Sequence, residues 1–405
     1  MKRVVITGMG IWSSIGQDIS SVTESLKRGR SGIIYNPKRM ETGLHSGLVG
    51  NVPRPNLKGL LPRKFRVTMS EDAEYAYMAA RQAFEHAKMP DDYLRTNEVG
   101  IVWGNDGNSC SIDSAEVLKE SKDSFMIGPH AAFKNMTSSA VMNIATIFHL
   151  RGICINVAAA CASSSHAIGL ASLFIRNGMQ HTILVGGSAE ISSYGSMSVD
   201  AIRAISLRNN SPEQACRPFD KGHDGMIQSG GAAAIVLEEY EHAVARGATI
   251  LAEVLGYGFS NSGTKEISMA NHNAEYIAMN RALQDACISQ DEIDYVNAHA
   301  TSTPQGDKEE AIALSRLFAG RKAWISSTKS MTGHEDWMAG ASEAVYSILM
   351  MHNGFVAPNI NLEERIEEAK DLKIATQTIY QPINLVLSNS LGMGGTNSAI
   401  VLKKL

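Results

Sequence analysis

The chain has 405 residues, a net charge of −4, 44% hydrophobic and 19% charged residues, and five cysteines. Its length predicts two domains or one large doubled core, and its slight acidity excludes a general nucleic-acid binder, whose footprint is basic. Five cysteines with no CxxC pair argue against a disulfide framework or a cysteine-built metal site, and point to the reducing cytoplasm.

Taken in order, Lys2 to Thr7 is predicted as a strand that starts at once, as expected of a chain without a signal peptide. Gly8-Met9-Gly10-Ile11-Trp12-Ser13 then begins like a dinucleotide fingerprint, but Ser13 stands at the third glycine position. No acid-ended strand follows, so the glycines are read as a turn packing strand on helix. Ser21 to Arg28 and Glu71 to Ala87 carry helical periodicity. Between them a loop ends in the basic cluster Arg63, Lys64 and Arg66. Val99 to Trp103 is a strand, 104–109 a loop, and Ser138 to Leu150 a nearly apolar helix. The apolar run 141–175 is broken by Asn143, His149, Arg151 and Asn156, which makes it core and not a membrane span.

Strand Gly152 to Asn156 leads through Ala158-Ala159-Ala160-Cys161-Ala162-Ser163 into helix Ala167 to Arg176. Cys161 thus sits at a strand-to-helix turn, walled by small residues. The unpaired N–H groups of a helix start are expected to favour its thiolate. His166, about 140° further round the helix, faces elsewhere and is structural. Strands Thr182 to Gly187 and Ala232 to Glu238 flank a glycine-rich ordered loop, 216–231, of the type that carries function.

From Ile250 the order of elements repeats without sequence identity: strands at 250–255, 295–298, 323–326, 385–388 and 399–403, with helices at 274–286, 308–317 and 342–351. Two halves, 1–249 and 250–405, each with a largely parallel sheet, are predicted, packed as one body. Three segments follow strands of the second half, where open α/β sheets gather their sites. They are Asn297-Ala298-His299-Ala300-Thr301-Ser302-Thr303, Ser326-Ser327-Thr328-Lys329-Ser330-Met331-Thr332-Gly333-His334, and Asn389-Ser390-Leu391-Gly392-Met393-Gly394-Gly395-Thr396. Two strand-end histidines with a lysine between, plus a helix-start cysteine, form a rare coincidence.

With these motifs the chain resembles the β-ketoacyl-[acyl carrier protein] synthases, in their elongating Cys–His–His class, from end to end. The resemblance implies an α/β thiolase-like fold: two pseudo-symmetric βαβ-rich halves in a layered αβαβα body. It implies a homodimer, with a synthase-like second chain as the other arrangement, and acyl carrier protein as partner. No cofactor or metal is implied, because substrates arrive on the carrier's phosphopantetheine. Residue by residue, Cys161 matches the acyl-accepting nucleophile, His299 and His334 the catalytic histidines, Lys329 the motif lysine and Glu343 the glutamate near it. The N–H groups of Cys161 and Met393 match the oxyanion hole, Thr301 and Thr303 the pantetheine contacts, and Arg63, Lys64 and Arg66 a carrier-docking patch.

The departures lie around the pocket. Leu391, Met393 and Met226 replace phenylalanines that gate the acyl tunnel, and Glu335, Asp336 and Trp337 replace small residues after His334. Catalytic residues kept with an altered lining suggest a specialised acyl substrate, such as one from aryl-polyene or pigment synthesis. Housekeeping fatty-acid elongation is the alternative. A non-catalytic chain-length-factor subunit is a third reading, and Cys161 argues against it.

Overall fold

Ten strands pair in one order across the sheet, and that order holds the same five-strand pattern twice. The computed structural model describes residues 1–267 and 270–405. The first half contributes β1 (Val4–Trp12), β2 (Gly100–Gly104), β3 (Cys154–Val157), β4 (Thr182–Ala189) and β5 (Gly231–Glu239). The second contributes β6 (Ala252–Asn261), β7 (Tyr295–Asn297), β8 (Trp324–Ser326), β9 (Leu385–Leu391) and β10 (Thr396–Lys403). The halves read 3-2-4-5-1 and 8-7-9-10-6 from their outer edges, and they join where β1 meets β6 at Val5–Glu253 and Ile6–Ala252.

In each half the first strand is antiparallel to the fifth and the fifth to the fourth, while the fourth, second and third are parallel. The predicted largely parallel sheets are therefore mixed. The reason is local in the second half: only Gly392 to Gly395 joins β9 to β10, and a link that short cannot make the crossover that parallel strands need.

Five helices build the layers: α1 (Glu71–His86), α2 (Ser163–Arg176), α3 (His272–Asp285), α4 (Pro304–Phe318) and α5 (Ala339–Asn353). α1 covers β1 and β5, and α3, with α4 beside it, covers β6 and β10. α2 and α5 pack on each other and touch strands of both halves. α5 is buried from Ala339 through Met351, as a helix apolar all round must be. The result is the expected αβαβα layering.

Gly8 and Gly10 lie inside β1 and not in a turn. A Cβ at either would come within 2.3 Å of the Ala83 carbonyl or 2.1 Å of the Ala79 carbonyl of α1. The predicted tight strand–helix packing holds, but the strand runs on to Trp12. Among the described residues no helix is long and apolar enough to cross a membrane.

Candidate active site

β3 delivers the chain to Cys161 and α2 carries it away. The bend between them is strained: Ala160 has φ 45°, a left-handed conformation that a residue with a Cβ seldom adopts. Asp106 holds it there, its Oδ2 accepting the Ala160 N–H at 2.6 Å, while Ser163 Oγ donates to the Ala160 carbonyl at 2.6 Å. Nothing in the sequence singles out Asp106, because its loop reads as an ordinary turn.

Cys161 keeps some contact with solvent at the cavity, yet protein atoms surround the sulfur. Burial first, and then the Asp336 carboxylate, push its thiol up to about 12. The N–H groups of Met393 and Cys161 and the Lys329 ammonium pull the other way without prevailing. This corrects the expectation of a resting thiolate: the resting group is the thiol, and the donors act only as charge develops. In this structure both N–H groups act on the sulfur itself.

His299 follows β7 and His334 follows the turn after β8. Their rings lie 5.3 Å apart at 87°, and one reactive atom of each falls, with Cys161 Sγ, in a set whose members are all within 4.8 Å. Among the described residues, His299 Nδ1 and both ring nitrogens of His334 have no hydrogen-bond partner. Burial, with the Lys329 ammonium next, holds His299 well below its ordinary range and His334 at about 3. Each imidazole is therefore neutral, with one N–H to donate. Buried polar atoms left unpaired are costly, which marks them as waiting for a substrate atom. A dication on the same three atoms is opposed by the protonated thiol and the Lys329 charge.

Lys329 is 1% exposed and forms a buried ion pair with Glu343. Burial pushes the Glu343 carboxyl up and Lys329 opposes it. The sequence reading missed Glu310. Its carboxylate accepts the N–H groups of His299 (2.7 Å) and Ala300 (2.5 Å) and the Asn389 amide (2.8 Å), which fixes the backbone that carries His299. The available signal was a carboxylate on the buried stripe of α4, beside Asp307, Ala311 and Leu314.

The three catalytic candidates open on a cavity of about 250 Å³. Thr301 and Thr303, with hydroxyls 2.9 Å apart, line it, and so do Met226, Leu391 and Met393. Met393 stands at the mouth with its side chain exposed. Gly394 and Gly395, at φ 89° and 87°, supply the left-handed turn beside it.

Trp337 is elsewhere. Its indole donates to the Gly107 carbonyl at 3.2 Å and lines a second cavity, of about 210 Å³, together with Asp336 and Gln228. Grouping it with the gate residues is corrected, because the turn Asp336–Met338 aims it past His334. Glu335 points into the core, accepting from Ser342 (2.5 Å) and Tyr346 (2.8 Å). His166 bonds Tyr257 (2.6 Å) and Thr396 (2.9 Å) outside the catalytic cavity, as expected. Arg63, Lys64 and Arg66 form a one-turn helix that shares no lining with the cavity. Arg63 and Lys64 are exposed, but Arg66 is half-buried with its Nε donating to the Leu61 carbonyl at 3.0 Å.

A thiol at a strained strand-to-helix bend, facing two neutral imidazoles, is an arrangement suited to chemistry through a cysteine nucleophile. Residues 1–243 match the family described as Beta-ketoacyl synthase, N-terminal domain, and residues 251–363 its C-terminal domain. The whole chain is 39% identical to the whole of 3-oxoacyl-[acyl-carrier-protein] synthase 1 of Escherichia coli (strain K12). It is also 39% identical to 99% of the Haemophilus influenzae enzyme of that name. The crystal structure of a Beta-ketoacyl synthase from Burkholderia phymatum superposes over all of both chains with a TM-score of 0.95 at 34% identity. The chain belongs to the beta-ketoacyl synthase family and is an acyl-transferring condensing enzyme.

Proposed function

We propose that the chain performs decarboxylative Claisen condensation of an acyl–Cys161 intermediate with a malonyl group on acyl carrier protein, giving 3-oxoacyl-carrier. The observation that carries this reading is the Cys161–His299–His334 cluster, with its unpaired ring nitrogens turned to one cavity. Cys161 Sγ attacks the carrier thioester while its proton passes to an imidazole. The Cys161 and Met393 N–H groups hold the developing oxyanion, and the leaving pantetheine sulfur takes the proton back. Malonyl-carrier then enters along Thr301 and Thr303 and loses carbon dioxide. The electron pair left behind forms an enolate, whose oxygen accepts from His299 and His334. The enolate carbon attacks the acyl carbonyl, the C–S bond breaks, and the freed Cys161 thiolate is protonated from solvent. Lys329, paired with Glu343, touches no reacting atom in this scheme and keeps both imidazoles neutral. The chemistry needs no metal and no cofactor beyond the carrier's arm.

For the acyl chain, the aliphatic Leu391, Met393 and Met226 and the flat Trp337 support a rigid, conjugated or aryl-bearing substrate of a specialised pathway. Full-length 39% identity to synthase 1 favours the second reading, housekeeping fatty-acid elongation. Competition between saturated and conjugated primers of equal length decides between them. The conjugated primer is expected to be elongated faster; a tie or a win for the saturated one leaves the housekeeping reading.

The carrier is acidic in this scheme and docks on Arg63 and Lys64. Reversing both charges is expected to raise the apparent KM for acyl-carrier and flatten its salt dependence, with turnover of small pantetheine thioesters unchanged. An unaltered KM across salt concentrations would return both residues to a solvated surface. The enzyme acts in the cytoplasm as a homodimer, or paired with a synthase-like chain. The exposed edge strand β3 and the exposed Phe125, Met126 and Phe133 support such a partner.

A further inference from the structure

The second cavity has no place in the scheme above, although its walls are tied to the catalytic residues on three sides. Asp336 lies two residues after His334, and its carboxylate is the strongest charge acting on the Cys161 sulfur. Gln228 pairs with His334 through the backbone; the neighbouring Ser229 N–H donates to the His334 carbonyl, and the His334 N–H to the Ile227 carbonyl, both at 2.7 Å. Gly107 follows Asp106, the residue that holds Ala160. The turn Asp336–Met338 packs directly on the turn Ala160–Ala162. The cavity is therefore walled in part by a turn that packs against the Cys161 turn, and it shares no lining with the side where Thr301 and Thr303 stand.

Its floor is polar. Arg39, 3% exposed, donates to Gln228 Oε1 at 3.0 Å, and Ser196 donates to the same oxygen. That fixes the amide, so its NH2 faces Asp336 Oδ2 at 3.3 Å with one hydrogen left over. Asp336 is only 9% exposed, yet its Oδ1 accepts no hydrogen bond among the described residues. The positive φ of Asp336, 46°, is a strain that a residue serving only as filler would not need. Across the cavity stands Glu190, 5% exposed and bonded to Ser192 at 2.9 Å. Between these groups the Trp337 indole, pinned to Gly107, gives one flat wall.

We propose that this cavity receives the far end of the acyl chain and selects one that ends in a hydroxyl, which donates to Asp336 Oδ1 and accepts from Gln228 Nε2. A methyl end would bury both of those groups unpaired, the arrangement by which a site built to hydrogen-bond a substrate rejects the analogue lacking that group. A carboxylate end would meet the two carboxyl groups of Asp336 and Glu190. Burial pushes Asp336 up to about 7, so it accepts from the hydroxyl more strongly when ionised than when protonated. The proposal rests on the acyl–Cys161 reading but not on the flatness of the chain.

The test uses four acyl-carrier thioesters of equal length, saturated or conjugated, each ending in hydroxyl or hydrogen. Acylation of Cys161 is followed by intact-protein mass spectrometry in the whole enzyme. The hydroxyl form of each pair is expected to load about tenfold faster or more. Asp336→Leu should bring that ratio to one, and Asp336→Asn, whose side chain suits the left-handed backbone, to an intermediate value. Because removal of Asp336 alters Cys161 for every substrate alike, the ratio is the informative quantity. A wild-type ratio near one overturns the proposal even if neither variant folds, as does a ratio that Asp336→Leu leaves unchanged. A hydroxyl preference in both pairs without any conjugated advantage keeps this proposal and removes the flat-chain reading. Failure of all four to acylate Cys161 removes the synthase scheme and this proposal together.

Discussion

Cys161→Ser is expected to abolish acyl transfer and condensation, lowering turnover by at least about 10³, while the fold stays intact. The wild-type thiol already stands at about 12, and a hydroxyl is a weaker acid still. The base available is an imidazole held near 3 at His334 or well below its ordinary range at His299, too weak to activate an alcohol. The Ala160 strain, the Asp106 bond and the start of α2 do not involve the sulfur, so circular dichroism and melting temperature should match the wild type. Mass spectrometry after incubation with acyl-carrier should find the adduct on Cys161 and nowhere else. An adduct on Cys154, which is exposed, or on the buried Cys216 would sink the assignment.

Replacing His299 or His334 by alanine should cost condensation about 10²–10³ each, the usual loss for one oxyanion donor, and should cost acyl loading far less. Parallel assays of Cys161 acylation and of 3-oxoacyl product separate the two steps, and near-wild-type condensation by both variants would rule the enolate role out. The same burial has a signature in stability. An unfolded histidine titrates near 6.5, whereas His334 in the fold stays neutral down to about 3. The unfolded chain therefore binds the extra proton between those values, and stability is lost as pH falls from 6.5 toward 3, being fully present above 6.5. His334→Ala should make the melting temperature less sensitive to acid in that window. An unchanged slope would mean that the ring is not held neutral.

Much of the site is local in the chain and was readable there. Cys161, His299, Lys329 and His334 stand in short motifs at strand ends, and the family resemblance of those motifs implies nucleophile, donors and cation. The doubling was legible in the order of strands and helices, because each element has its own period. The pocket departures at Met226, Leu391 and Met393 could be named for the same reason, since each occupies a fixed place in a motif.

The rest depended on contacts between residues far apart in sequence. Asp106 matters because it reaches Ala160, and Glu310 because its carboxylate lies under the His299 backbone; neither neighbour is visible in a linear pattern. The state of the Cys161 thiol reversed on folding, since the helix-start N–H groups act locally whereas burial and the Asp336 charge come from the assembled body. Trp337, grouped with the gate residues, lies behind His334 but lines a different cavity from theirs, because the turn at Asp336 sets a direction that residue type does not encode. Sequence by itself determined the class of chemistry and the candidate residues for it. The tertiary structure alone decided the charges they carry and what lies behind them, because both depend on which groups long-range packing removes from water.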